Sequence, residues 1–291
     1  MKSKYAVSCT MSRMFNQDKT IAFIGAGNMA TALIKGLIAK GCPCANIWAA
    51  DPNSEQLGIL KNDSGINVSS DNTEVIKNAD IVVLAVKPQL MNVVLLPLQK
   101  VLAEKTVLLV SIAAGVSIKT LESLSSDKQA IVRCMPNTPA LVEAGASALF
   151  ANSSATEEQK QQAQSILSAV GMICWLQQES DIDIVTALSG SGPAYFFLFI
   201  EALQAAAIDQ GLDPDIANSL ALQTAFGAAK LALSGDGDVA ELRRKVTSPG
   251  GTTEAAIAQF EKDGFRNIIA QAVEKAKARS EELAQLSDNQ E

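Results

Sequence analysis

The sequence predicts an α/β fold, a doubly wound parallel sheet followed by an all-α domain. Three observations carry this. From about residue 20 to 178, short apolar runs alternate with amphipathic helical patterns; from about residue 180, strand signals vanish and helical periodicity continues nearly to the end; and a glycine-rich turn joins the first apolar run to the first helix. Such alternation builds a parallel sheet, because parallel neighbours need a crossover long enough to hold a helix. The second half is rich in small side chains at Ala202–Ala207 and Ala225–Ala232. Small faces let helices approach closely, and a mostly apolar helical half of this size predicts burial against a partner subunit, hence an all-α dimerisation domain. The expected division is a loose N-terminal tail at 1–19, a sheet domain at 20–178 and a helical domain at 179–291.

The elements follow in order. Thr20–Gly25 reads as a short apolar strand, and Asn28–Lys40 as a helix with Met29, Leu33, Leu37 and Ile38 on one face, stopped by Gly41. Ile47–Asp51, Ile81–Val86, Thr106–Ile112 and Ala130–Cys134 are further buried strands. Thr156 and Gln159 have capping-box spacing and start a helix with Ala163, Ile166, Leu167 and Val170 inward; Met172–Leu176 is the last strand. Ile182–Gly211 is one long helical pattern interrupted at Ser189–Pro193. Asp213-Pro214 opens the next helix, Asp238 caps a short one, and Thr252 onward runs helical nearly to Leu286.

Composition narrows the chemistry. At 291 residues, with 48% hydrophobic and 4% aromatic residues, the chain has ample material for a core and favours helix packing over a β sandwich. A net charge of −7 leaves no basic face for nucleic acid. Histidine is absent, which excludes Ser-His-Asp hydrolysis, Cys-His proteolysis, His-ligated metal sites and His-dependent hydroxy-acid dehydrogenation; no metal is expected. The five cysteines are scattered, and Cys42-Pro43-Cys44 lacks the gap of a zinc or redox motif, so free thiols in a reducing cytoplasm are expected. No apolar run is expected to span a membrane, the longest being broken by Lys87 and Pro88. Residues 1–19 carry Lys2, Lys4 and Arg13 without a hydrophobic core and do not read as a signal peptide.

Two glycine-rich turns carry chemistry. Gly25-Ala26-Gly27-Asn28-Met29-Ala30 fits G-x-G-x-x-A between a strand and a helix. Gly25 permits the tight turn, Gly27 lets backbone approach a pyrophosphate, and Ala30 allows close helix packing, the fingerprint of a Rossmann-type dinucleotide site. Asp51 lies 21 residues after Ala30. It either binds the ribose 2′-hydroxyl, favouring NADH, or sits in a polar turn, with Asn53, Ser54 and Asn72 free to donate to the 2′-phosphate of NADPH. Ala85-Val86-Lys87-Pro88 ends the strand at 81–86, where Lys87, a candidate catalytic residue, points into the cleft over the cofactor or lies on its rim. Small residues at Ile112-Ala113-Ala114 would admit a nicotinamide ring, while Asn137 and Thr138 would touch substrate or cap their turn. Far downstream, Ser248-Pro249-Gly250-Gly251-Thr252-Thr253 opens a helix with free backbone N–H groups and two hydroxyls, a start suited to a small carboxylate. A nicotinamide site combined with a carboxylate site suits hydride transfer. Reduction of an imine that arrives protonated needs no imidazole.

Gly25–Ala30, Ala85–Pro88, Met135–Pro139, Leu188–Tyr195 (LSGSGPAY) and Ser248–Thr253 (SPGGTT) together resemble pyrroline-5-carboxylate reductase, in that family's order and spacing over residues 20–286. The resemblance implies reduction of 1-pyrroline-5-carboxylate to L-proline by NADPH or NADH, the last step of proline biosynthesis. It places phosphate binding on Gly25–Ala30, an adenosine-ribose contact on Asn72, and nicotinamide contacts on Ala85–Pro88 and Ile112–Ala114. It places the substrate carboxylate on the backbone of Ser248–Thr252, a ring-nitrogen contact on Thr253, and a loop-organising acid on Asp236. It also implies homodimers with interleaved helical domains, assembled in some members into decamers, each site joining a cofactor from one subunit to a substrate loop from the other. Two rivals remain. A dehydrogenase of the 3-hydroxyisobutyrate type would need a catalytic lysine in the second domain, where Lys230 stands among Ala228, Ala229, Leu231 and Ala232 without polar companions. A non-catalytic redox sensor would keep the first turn without needing the second.

Overall fold

A computed structural model of the chain describes residues 18–126, 128–235 and 238–288. All but the last two residues of the expected tail, and Asp236 of the expected site, lie outside the described residues. Among the described residues eight strands form one sheet: β1 (Ile21–Ile24), β2 (Ile47–Ala50), β3 (Asn67–Ser69), β4 (Ile81–Leu84), β5 (Leu108–Ser111), β6 (Ala130–Met135), β7 (Gly145–Ala151) and β8 (Gly171–Trp175), in the order β3-β2-β1-β4-β5-β6-β7-β8. The first six give the dinucleotide-binding order in which connections leave β1 in opposite directions, toward β2 and β4.

Two strands, β3 and β7, escaped the sequence reading, and the sheet is not wholly parallel: β6 and β7 pair antiparallel, with Arg133 opposite Phe150. The reason is local. Residues 136–144, with two prolines and a 3-10 turn at Thr138–Val142, are too short for a crossover helix, so the chain can only return alongside β6.

Around the sheet lie α1 (Asn28–Ala39), α2 (Ser54–Ser64), α3 (Asn72–Asn78), α4 (Met91–Leu95), α5 (Gln99–Glu104), α6 (Ile118–Leu124) and α7 (Glu157–Ser168). The central strands β1, β4 and β5 are buried on both faces, as parallel strands covered by helices must be, while the edge strands β3 and β8 are only partly buried. Ile21 and Phe23 of β1 join Leu33, Leu37, Ile166 and Leu167 in one core. Ala22 and Ile24 join Val82, Leu84, Leu95 and Leu121 in the other. The capping box of α7 forms as its spacing predicts, with the Gln159 amide donating to Thr156 Oγ1 at 3.2 Å and the Thr156 amide to Gln159 Oε1 at 2.9 Å.

The chain divides into two compact units, one of residues up to Ser191 together with Ala276 onward, the other Gly192–Lys275. This differs from the division at 178/179. Residues 179–191 and the final turns stay with the sheet because polar side chains tie them there. Glu179 accepts from buried Arg133 at 2.8 Å, Asn137 Nδ2 donates to the Ser189 carbonyl at 3.0 Å, and buried Ser280 donates to Asp183 at 2.6 Å.

The expected interruption at Ser189–Pro193 is a π turn instead of a break. It spans Thr186–Gly190, between α8 (Asp181–Val185) and α9 (Gly192–Asp209), with the Ser191 amide donating to the Thr186 carbonyl at 2.8 Å. Pro193 has no N–H to offer the Ser189 carbonyl, and Asn137 supplies the missing donor. The resulting helix, Asp181–Asp209, is 29 residues long and apolar enough to cross a membrane by length and composition. This corrects the sequence reading, in which no run qualified: the six glycines, serines and alanines of residues 186–194 masked the continuity.

In the second unit α10 (Pro214–Leu233) is capped by Asp213 and α11 (Val239–Lys245) by Asp238, both as expected. The last helical stretch is two helices, α12 (Thr252–Lys262) and α13 (Phe265–Asp288), parted at Asp263-Gly264 where Gly264 takes φ 76°. Phe199, Phe260 and Phe265 form a trio with ring centroids 5.5–6.3 Å apart.

Candidate active site

Because β1 to β6 run parallel, the turns that follow their C-terminal ends share one edge of the sheet. Gly25–Ala30, Asp51, Ala85–Pro88 and Ile112–Ala114 are thereby brought to that edge, around the point between β1 and β4 where connections diverge. Gly25 has φ 101°, and a Cβ there would lie 2.7 Å from the Ala85 carbonyl oxygen. Both facts demand glycine. A Cβ on Gly27 would meet nothing within 4 Å, so space stays open beside the backbone. No side chain caps α1, and no acid occupies its first turn. Its leading N–H groups and positive dipole end are therefore left for an anion, as a dinucleotide pyrophosphate requires.

Asp51 faces the turn. Its Oδ2 accepts from the Ala26 amide and its Oδ1 from the Asn53 amide, each at 2.9 Å. Asn53 Oδ1 caps α2 through the Glu55 and Gln56 amides, leaving its NH2 group as a donor. Asn72 is half-buried at the start of α3, behind the capping Asp71. Lys87 is exposed, with Ala85 and Val86 half-buried before it. Ala113 is buried and Ala114 exposed. Beyond them Gly115, at φ 71°, lies against the last helix, where a Cβ would sit 3.3 Å from Leu283 Cβ.

Asn137 is buried with both ends of its amide in use, Oδ1 accepting from Ala146 at 2.9 Å and Nδ2 donating to Ser189. It fixes its loop. Thr138 is exposed.

In the second unit, Thr252 and Thr253 open α12 behind Gly251, and again no side chain caps the helix. Two donors expected to be free are occupied: the Gly250 amide gives its hydrogen bond to Glu254 Oε2 at 2.7 Å, and the Gly251 amide to the Ser248 carbonyl at 3.0 Å. Glu254 sits three residues after the N-cap, the capping-box spacing, which could have been read from the sequence. Gln56, whose Nε2 donates to the Ala26 carbonyl at 3.1 Å, had no comparable signal. Nor did Glu179, whose Oε1 gathers Arg133 of β6 and the Ile118 amide at the start of α6. The described cysteines are free. Burial pushes the Cys42 thiol up to about 11, helped by Cys44, and raises Cys134 and Cys174 as well. Reactive thiols need the opposite shift.

Residues 179–283 match the family model described as pyrroline-5-carboxylate reductase dimerisation, and residues 20–115 match one described as NADP oxidoreductase, coenzyme F420-dependent. A pyrroline-5-carboxylate reductase of Pseudomonas aeruginosa is 51% identical over 91% of this chain and 97% of its own length. This chain belongs to the pyrroline-5-carboxylate reductase family. Among solved structures, a pyrroline-5-carboxylate reductase from Coxiella burnetii superposes with a TM-score of 0.88 at 43% identity, covering 91% of this chain and 98% of that one. The Plasmodium falciparum enzyme, solved with NADP bound, superposes with a TM-score of 0.82 at 33% identity, covering 92% and 99%. The pyrroline-5-carboxylate reductase match at 179–283 also gives the apolar helix Asp181–Asp209 a place in a dimerisation domain.

Proposed function

We propose that this chain reduces 1-pyrroline-5-carboxylate to L-proline with NADPH or NADH, as a cytoplasmic homodimer with interleaved helical domains that can assemble into decamers. The observation that carries this reading is the pairing, in one histidine-free chain, of two uncapped helix starts behind glycine turns, α1 and α12. The functional boundary falls at 178/179, with the second domain holding substrate.

The cofactor, when bound, supplies a hydride to the imine carbon. The Gly25–Ala30 turn holds its pyrophosphate on the N–H groups that follow Ala26, Asp51 and Asn72 lie at its adenosine end, and Ala85–Pro88 with Ile112–Ala114 flank its nicotinamide. The amides of Ser248 and Thr252 and the hydroxyls of that loop hold the substrate carboxylate beside Gly250 and Gly251, whose own amides are engaged within the loop, with Asp236 organising it, so the ring is presented in one orientation. The nitrogen must carry a proton as the carbon accepts the hydride, giving the neutral amine nitrogen of proline. A threonine hydroxyl is too weak an acid to furnish that proton, so Thr253 orients the nitrogen by hydrogen bonding while the proton arrives with the substrate or through water. Lys87 lends its charge beside the nicotinamide. Each site uses the cofactor turn of one subunit and the substrate loop of its partner, which accounts for how little of the second unit is buried in a single chain. The unpaired thiols suit a reducing compartment.

Loss of reduced-nicotinamide absorbance on adding 1-pyrroline-5-carboxylate, with proline formed, tests the reading with NADPH and NADH in parallel. Tight binding of NADPH without turnover would favour the sensor. Thr253→Ala is expected to lower kcat by about tenfold, the worth of one oriented hydrogen bond, with unchanged cofactor Kd. Unchanged steady-state kinetics would remove Thr253 from the site.

A further inference from the structure

An acid at the end of β2 is the residue a dinucleotide fingerprint reserves for the ribose 2′-hydroxyl. Here both oxygens of Asp51 are engaged by backbone, Oδ2 by Ala26 and Oδ1 by Asn53, each at 2.9 Å. The same short segment grips the turn twice more. The Gly25 amide donates to the Ala50 carbonyl at 2.7 Å, and Gln56 Nε2 donates to the Ala26 carbonyl at 3.1 Å. The buried Ala26 peptide is thus held at its N–H by Asp51 and at its C=O by Gln56, which sets the direction of the amides that follow it into α1. Turning the carboxylate toward a ribose would strand the backbone N–H of Ala26, a fully buried residue, whereas the exposed Asn53 amide could turn to water.

We propose that Asp51 is a positioning residue that clasps the phosphate-binding turn, and that it does not select between NADH and NADPH. The proposal rests on the cofactor reading given above. The two possible roles of the acid differ in sign. An acid that reads the ribose repels a 2′-phosphate, so removing it strengthens NADPH binding and weakens NADH binding. An acid that clasps the turn serves the pyrophosphate, which both cofactors share, so removing it weakens both together.

The test uses the full-length protein and its Asp51→Ala, Asp51→Asn and Gln56→Leu variants, with Kd by calorimetric titration and steady-state KM and kcat for each nicotinamide. Asp51→Ala is expected to raise both Kd values by about tenfold, from the loss of two charge-assisted hydrogen bonds, with their ratio held within about twofold. Gln56→Leu is expected to move both Kd values the same way by a smaller factor. The loss should fall on KM for both cofactors and much less on kcat, a split that general destabilisation does not produce. NADPH binding that tightens while NADH binding weakens overturns the proposal, and so do two unchanged Kd values. If Asp51→Ala fails to fold, Asp51→Asn and Gln56→Leu carry the same comparison. A wild-type protein that binds neither cofactor sinks the underlying cofactor reading instead.

Discussion

The sheet unit and the helical unit differ in where their cores lie. In the first, β1 is buried on both faces and two continuous apolar clusters flank the sheet. In the second, Gly192 and Ala217 alone are buried among the described residues of 192–275, while Phe196, Phe197 and Leu198 are 69%, 65% and 66% exposed. Burying a side chain of that kind stabilises by roughly 1.5–3 kcal/mol, so a row of them left open belongs to an incomplete structure. The match to a dimerisation family over 179–283 says what completes it. One unit carries its own core, and the other has half of one.

The largest effect is expected where that difference is attacked. Phe197→Asp puts a charge into the open face, a loss of at least about 2 kcal/mol if the position is an interface anchor. The variant should sediment as a monomer and lose about a hundredfold or more in kcat/KM, while NADPH still binds the sheet unit. A variant that remains dimeric and active would place Phe197 outside the interface. One that loses NADPH binding as well would mean that the sheet unit depends on the helical unit.

Gly25→Ala attacks the self-sufficient unit. The positive φ costs about 1–3 kcal/mol, and the close approach of the Ala85 carbonyl adds overpacking of similar size. Both cofactors should bind more than tenfold more weakly and the melting temperature should fall, with the dimer intact in sedimentation. Unimpaired binding would show that the turn at β1 does not hold the dinucleotide.

The same contrast decides what was legible in the sequence. β1, α1, β4 and β5 are written in local apolar periodicity and in the glycine turn, and the caps at Thr156, Asp213 and Asp238 in two or three residues each. β7 was not legible, because Gly145–Ala151 is mostly small residues and owes its strand to pairing with β6. The continuity of Asp181–Asp209 was hidden because the donor that replaces the one missing at Pro193 comes from Asn137, some fifty residues away. The positions of the site residues follow from strand order, but the engagement of Asp51 and Gly250 depends on side-chain direction, which spacing does not encode.

Asn137 offers a smaller test of that long-range tie. Asn137→Leu leaves the Ser189 carbonyl and the Ala146 amide without partners, at a cost of about 1–3 kcal/mol. For a protein of this size each kcal/mol lowers the melting temperature by about 2–4 °C. Because the tie lies within the sheet unit, the fall should appear in that unit's unfolding while the dimer persists. An unchanged melting temperature would mean the π turn holds itself.

Lys87 should give the smallest effect, and it distinguishes an edge that binds from an edge that reacts. The side chain is exposed and makes no hydrogen bond or ion pair shown among the described residues. A charge so placed acts through solvent, where its pull on the bound cofactor is about 1 kcal/mol or less and is screened by salt. Lys87→Met should therefore raise the KM for either cofactor by about threefold at low ionic strength, and by less as salt is added, leaving the melting temperature unchanged. A tenfold loss in kcat that persists at high salt would instead place the ammonium in contact with the reacting groups, and the sheet unit would then supply chemistry as well as a hydride carrier's berth.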